Sequence, residues 1–543
     1  MKPSFFPSLL VLLASVHLAQ GAPGFAHTLE SNELNKHAIA ITSEGRAIDP
    51  TIALKKRRDV LLTRAGYERQ TDMIFEGIEE QARAGKLTKK AVLLWVHGGN
   101  NFITGAIKRA DELSGPMSDD GYYPVSICWS SNIPSAWWEQ MRYVRNGVYF
   151  KGQNDAWAIA TAPVYVATDF LTAVVRFPRT ALDKLYSTFK PVAPKAYDKI
   201  LAGQFRYQAL QARERQYGYR SADPDTRIYD NDQGRIVLQQ GPGSESTKMS
   251  GRAPKKITPD DVAAKWWPLY AKDRPMTVSQ GKYAPTVGDN TGRVASYVAT
   301  LPTKTAVLSV FATFGESSWD MLNRRCKAMI HHTNSFRPDG QSTYHESDAD
   351  LRDSESTGIG ALAVFLRRLE KFCREHPDIK VVAVGHSMGA IVLNEAIRSF
   401  PRVPYRDIVY MAAACSIHDF DASVVPYLRT HQQTQFYNLC LNPRAEDRED
   451  NLYDFVPRGS FLVWIDEFLN HPQSFPDRTL GNFENVMLAS KMFHPKIHGQ
   501  LHMSAMGAGP GQPDPQKHGE FSAKEFWKEG FWKRRGWDPW PPK

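Results

Sequence analysis

The segment that most limits how this chain can fold is 381–400. The apolar run Val381, Val382, Ala383, Val384 leads without a break into Gly385, His386, Ser387, Met388, Gly389. From Ala390 to Phe400 the apolar residues then recur at helical spacing. A strand, a sharp reversal and a helix must therefore share twenty residues. The reversal is so tight that a β-carbon before or after the serine would meet the backbone, which accounts for glycine at both places. A turn of that kind lifts the Ser387 hydroxyl above the end of its sheet. Gly-x-Ser-x-Gly alone arises by chance about once in every five chains of this length. Its setting between strand and helix makes it informative.

The rest of the chain agrees with a mostly parallel sheet flanked by helices, the α/β class. Continuous apolar runs predict buried strands over 91–96, 124–129, 306–311, 381–384, 408–413 and 435–441, and a first short strand near 37–42. Helical spacing predicts helices over 72–84, 103–113, 318–330, 361–372 and 390–400. Between 130 and 301 the alternation stops, and this stretch reads as a long insertion or lid. Within it 156–177 is nearly apolar, but Asp169, Arg176 and the central Pro163 oppose a membrane span and favour a helical hairpin over the site. The expected organisation is a signal peptide over 1–21, core over 22–129, insertion over 130–301 and core again over 302–543.

The start of the chain carries Lys2, the apolar run Leu9 to Ala14, and Ala19-Gln20-Gly21, the pattern of an export signal cleaved after Gly21. The mature protein is thus expected to be secreted or periplasmic. Five cysteines form no even framework, and Cys128 and Cys440 fall in predicted strands, which suits core packing; Cys415 with Cys440 is the one pairing considered. A net charge of +9 suits anionic surfaces such as lipid headgroups or envelope polymers. Nucleic acid is not expected as a partner, since no recognition motif appears.

If the serine attacks a carbonyl, the resulting oxyanion needs donors. One is the Met388 amide, next after the nucleophile; the other belongs in the loop after an early strand. That loop is His97-Gly98-Gly99-Asn100-Asn101, and Gly99 is the expected donor. The acid and then the histidine should follow in chain order. Asp447 is preferred as the acid, with Glu446, Asp419 and Asp421 as alternatives. His518 is preferred as the base over His502 and His498, with Ser522 placed to cap a final helix over 523–532. His494, His498 and His502 share a helical spacing, but Pro495, Gly499 and the lack of a nearby carboxylate argue against a metal site. His331 and His332 read as surface. No metal and no organic cofactor are required. The terminal aromatics Phe526, Trp527, Phe531, Trp532, Trp537 and Trp540, mixed with lysine and arginine, read equally as a membrane-contacting segment or as core packing.

These pieces together resemble the bacterial α/β hydrolases related to lipases and esterases. The likeness lies in Val96-His97-Gly98-Gly99-Asn100-Asn101-Phe102 with Ala106 and Arg109-Ala110, and in Cys128-Trp129-Ser130 and Gly385-His386-Ser387-Met388-Gly389. It extends to 408–414 with Asp419 and Asp421, covers about half the chain, and excludes the insertion. Two glycines replace the family's glycine-then-aromatic pattern after His97. The resemblance implies an α/β-hydrolase fold and a Ser, acid, His triad acting on a small-molecule or lipid acyl substrate, with peripheral membrane or envelope contact as a further expectation. An acyltransferase would use the same residues. A catalytically idle binding protein of the cell envelope is the rival reading.

Overall fold

A computed structural model describes residues 25–26, 32–57, 59–145, 148–149, parts of 160–175, 226–230, 236–240, 301–331, 360–441 and most of 445–533. The predicted signal peptide, most of the insertion and Asp447 lie outside the described residues.

The main sheet is mixed but mostly parallel. Its strands are β1 (Phe25–Ala26), β2 (Ala38–Ile41), β3 (Ala47–Ile48), β4 (Leu61–Leu62), β5 (Ala91–Val96), β6 (Tyr123–Trp129), β7 (Lys380–His386), β8 (Tyr405–Met411), β9 (Gln435–Leu441) and β10 (Leu501–Met506). They lie in the order β1-β4-β3-β2-β6-β5-β7-β8-β9-β10. Pairing is parallel in β1–β4, β2–β6, β5–β6, β8–β9 and β9–β10, and antiparallel where β3 meets β2 and β4. Helices fill the connections: α1 (Arg64–Arg83), α2 (Ile103–Asp119), α3 (Ile133–Tyr143), α4 (Leu301–His331), α5 (Ala361–Glu375), α6 (Gly389–Ser399) and α7 (Ile417–Thr430).

The chain divides into two compact units, Met1–Tyr165 with Ser317–Val384 and Ser399–Tyr405, and Val166–Glu316 with Gly385–Arg398 and Arg406–Lys543. In the first, every residue of β5 and β6 is buried. The apolar side of α2, through Ile103, Ala106, Ile107 and Ala110, packs with Ala38, Ala40 and Cys128 from β2 and β6. Burying such side chains is the main source of stability here, about 1.5–3 kcal/mol for each large aliphatic one. In the second, β8, β9 and β10 are almost wholly buried, as strands of a parallel sheet covered on both faces must be.

Two expectations are corrected and two open alternatives are decided. The strand foreseen over 306–311 and the helix over 318–330 are one helix, α4. No proline separates the two runs, and Pro302 sits in the first turn, where its missing N–H costs nothing. Gly315, the apparent break, is small because Leu469 needs the space: a β-carbon there would lie 2.3 Å from Leu469 Cδ2. The long terminal helix foreseen from 523 is only Glu529–Trp532, preceded by a 3₁₀ turn over His518–Ala523, so Ser522 caps nothing and instead bonds the Gly519 carbonyl. Phe526, Trp527, Phe531 and Trp532 are all buried, so the packing alternative holds for these four; Trp537 and Trp540 lie outside the described residues. All five cysteines are buried free thiols, and Cys415 and Cys440 are not joined.

Candidate active site

The site is assembled around the turn from β7 into α6. Ser387 has φ +51°, a left-handed conformation that costs a non-glycine residue on the order of 1–2 kcal/mol. Neighbouring backbone holds it there. The Ser387 amide donates to the Met411 carbonyl at 2.8 Å, and its carbonyl accepts from the Ala414 and Ala390 amides at 3.0 and 3.1 Å. A β-carbon on Gly385 would sit 2.9 Å from the Gly389 carbonyl carbon, the collision expected from the sequence. The segment that grips the serine is itself tight: Ala412 has φ +46°, and Gly481 packs so closely that a β-carbon would lie 2.1 Å from the Ala413 nitrogen. Ser387 is only 2 % exposed, and its hydroxyl makes no hydrogen bond among the described residues. The Met388 amide also donates to nothing among them, leaving an N–H at the start of α6 available to an anion.

His518 lies in the turn after β10 and is brought to this elbow. His386, one residue before the serine, donates from Nε2 to the His518 carbonyl at 3.0 Å, and the two rings lie 5.2 Å apart. Burial, with the His386 ring as a second cause, pushes the His518 imidazole down to about 3; burial pushes His386 down to about 4. Both rings are therefore neutral at neutral pH, the state in which an imidazole can accept a proton. His518 Nδ1 is buried without a hydrogen-bond partner among the described residues.

The histidines weighed against it stand elsewhere. His502 is the second residue of β10, in register with Tyr437, and its Nε2 meets Gln435 Oε1 at 2.8 Å. Its neighbours β8 and β9 run parallel to β10, so His502 lies at the amino ends of these strands, while Ser387 follows the carboxyl end of β7. His498 and His494 precede β10 on that same side. No group of histidine, cysteine and acid side chains suited to a metal occurs among the described residues.

Among the acids, Asp419 is engaged elsewhere. It accepts from Asn394 at 2.6 Å and from Arg398, bonds that tie α7 to α6. Asp421 lies within α7, its carboxyl pushed up by burial. Glu446 accepts the Ser460 hydroxyl. Sequence reasoning missed Glu449, whose Oε2 accepts the backbone N–H of His518 at 3.0 Å and whose carboxyl burial pushes up. Its signal was present: it belongs to the same acidic run after β9 as Glu446 and Asp447.

In the other unit the loop after β5 is firmly built. His97 Nε2 accepts the Trp129 amide at 3.1 Å, so Nδ1 carries the proton and donates to the Gly98 carbonyl at 2.8 Å. Asn101 Nδ2 donates to the Gly98 and Gly99 carbonyls at 3.0 Å each, and Ser131 Oγ adds a third donor to Gly98. Asn100 takes φ +61°. The carbonyls are thereby turned inward and held, while the Gly99 amide donates to nothing among the described residues. No family model, curated protein or solved structure matches this chain.

Proposed function

We propose that this protein is a serine hydrolase of the α/β-hydrolase type that cleaves an acyl ester or related carbonyl compound through an acyl-enzyme on Ser387. The observation that carries the reading is the strained Ser387 elbow with the neutral, buried His518 bound to the residue beside it. The order along the chain supports it: serine after β7, acids after β9 and histidine after β10 are in the order Ser, acid, His. Ser387 also stands at the carboxyl end of its strand, the edge where open α/β sheets bind ligands.

In this mechanism Ser387 Oγ attacks the carbonyl carbon while His518 accepts its proton. Negative charge on the former carbonyl oxygen is met by the Met388 amide. Collapse breaks the bond to the leaving group, which takes the proton from His518. Water, deprotonated by the same imidazole, then attacks the acyl carbon and frees Ser387. Glu449 is the acid we assign to His518: its carboxylate already rests on that residue's amide, and the orphan Nδ1–H belongs to the same residue. A swing of that carboxylate from the amide to Nδ1 during the reaction would fix the tautomer and stabilise the imidazolium.

Hydrolysis of p-nitrophenyl acyl esters of increasing chain length tests the proposal. The wild type should release p-nitrophenolate with a burst no larger than one per chain, and Ser387→Ala should lose activity by about 10⁴-fold or more. Turnover that survives in a folded Ser387→Ala variant would remove the serine from the reaction.

A further inference from the structure

The described residues between 160 and 175 are helical, and each is exposed or half-exposed. Five of the exposed ones are large and apolar: Val164, Phe170, Leu171, Val174 and Val175, with Leu171 63 % and Val175 79 % exposed. Phe170 and Val174 are four residues apart, as are Leu171 and Val175, the spacing that sets side chains together on a helix surface. So much apolar surface in one short stretch is unusual for a protein that meets only water. In sequence, the stretch is bracketed by Arg142, Arg145 and Lys151 before it and Arg176, Arg179 and Lys184 after it, against Asp155, Asp169 and Asp183. Trp157 and Phe177 stand at its ends. Among the described residues no helix is long and apolar enough to cross a membrane.

We propose that residues 160–175 lie in the interface of an anionic lipid bilayer. The apolar side chains enter the acyl boundary and the flanking basic residues meet anionic headgroups. An apolar helical stretch bracketed in sequence by cations is the combination that binds in the plane of a membrane, each basic residue near the surface adding about 1 kcal/mol of attraction. The charge is the argument for lipid over a second copy of the chain, because two such basic segments would repel each other. Membrane contact thereby moves from the terminal aromatics, four of which are core, to the insertion. The proposal stands apart from the reaction assigned to Ser387.

Vesicle flotation of the full chain tests it, using phosphatidylcholine alone and an equal mixture of phosphatidylcholine with phosphatidylglycerol. The wild type should float with the mixed vesicles and scarcely with the neutral ones. In Leu171→Glu with Val175→Glu, partitioning should fall by at least about tenfold, as two large apolar side chains no longer leave water. A circular-dichroism spectrum and urea midpoint unchanged from wild type would show that variant folded. A second arm places an environment-sensitive fluorophore on Leu171→Cys, workable because the native cysteines are all buried; its emission should shift to the blue on mixed vesicles. No flotation of the wild type, equal flotation of the double variant, or no blue shift would overturn the proposal. So would a wild-type dimer that the double variant converts to monomer without vesicle binding, since the occupant would then be a second copy.

Discussion

Ser387 shows how a single residue is held in a conformation it would not choose. Its left-handed backbone is fixed by the Met411, Ala414 and Ala390 bonds, and the space for them exists because residue 385 has no side chain. Gly385→Ala should therefore lower stability by about 1–3 kcal/mol, read from the denaturant midpoint, and abolish ester turnover by displacing the elbow. The two acids Glu449 and Asp419 part at this scale. Glu449→Gln can still accept the His518 amide but carries no charge for an imidazolium, so it should cut kcat/KM by about 10²–10⁴-fold with little loss of stability. Asp419→Asn removes one of the two acids that pair with Arg398, leaving Glu395, and should lower the melting temperature while leaving kcat/KM within about threefold of wild type. An Asp419→Asn variant that folds normally and loses turnover would reverse the assignment.

Between elements, the buried pair Arg325–Glu139 joins α4 to α3. Arg325 donates twice to Glu139 Oε2, at 2.9 and 2.6 Å, and also to the Ser130 carbonyl and Ser135 hydroxyl. Arg325→Ala leaves a buried carboxylate without its cation and should cost about 3–5 kcal/mol, whereas adding Glu139→Gln should restore part of that. Chemical denaturation of both single variants and the double variant measures this, and a double-variant loss equal to the sum of the two single losses would mean the pair is not coupled. At this scale the sequence was legible where periodicity met punctuation. The runs 91–96, 124–129 and 435–441 are strands as read, because each is continuous, short and bounded by turn residues. The run 306–311 looks the same locally, and only its unbroken continuation into 318–330 makes it helix. Ser387 and its elbow were legible because a local backbone constraint dictates local residues. Glu449 was not, because its role depends on a long-range contact with His518, sixty-nine positions away, that no spacing encodes.

For the molecule as a whole, the buried imidazoles couple stability to acidity. His518 and His386 are pushed down to about 3 and about 4, against about 6.5 in an unfolded chain. Above about pH 6.5 both states are neutral and the stability is fully present. As pH falls from there toward 4, the unfolded chain gains protons that the folded one refuses. Stability should then decline by roughly 1.4 kcal/mol per pH unit for each of the two rings. Urea midpoints taken between pH 7.5 and 4.5 should trace that decline, and His386→Gln, which keeps a donor for the His518 carbonyl, should make it shallower; an unchanged slope would remove His386 from the account. The central claim concerns Ser387 and its base, and it is tested most directly by labelling the purified protein with a fluorophosphonate probe at neutral pH. Labelling is expected in wild type and in His502→Ala, should vanish in Ser387→Ala, and should fall sharply in His518→Ala. A folded wild type that does not label, or labelling that persists without Ser387, would contradict it.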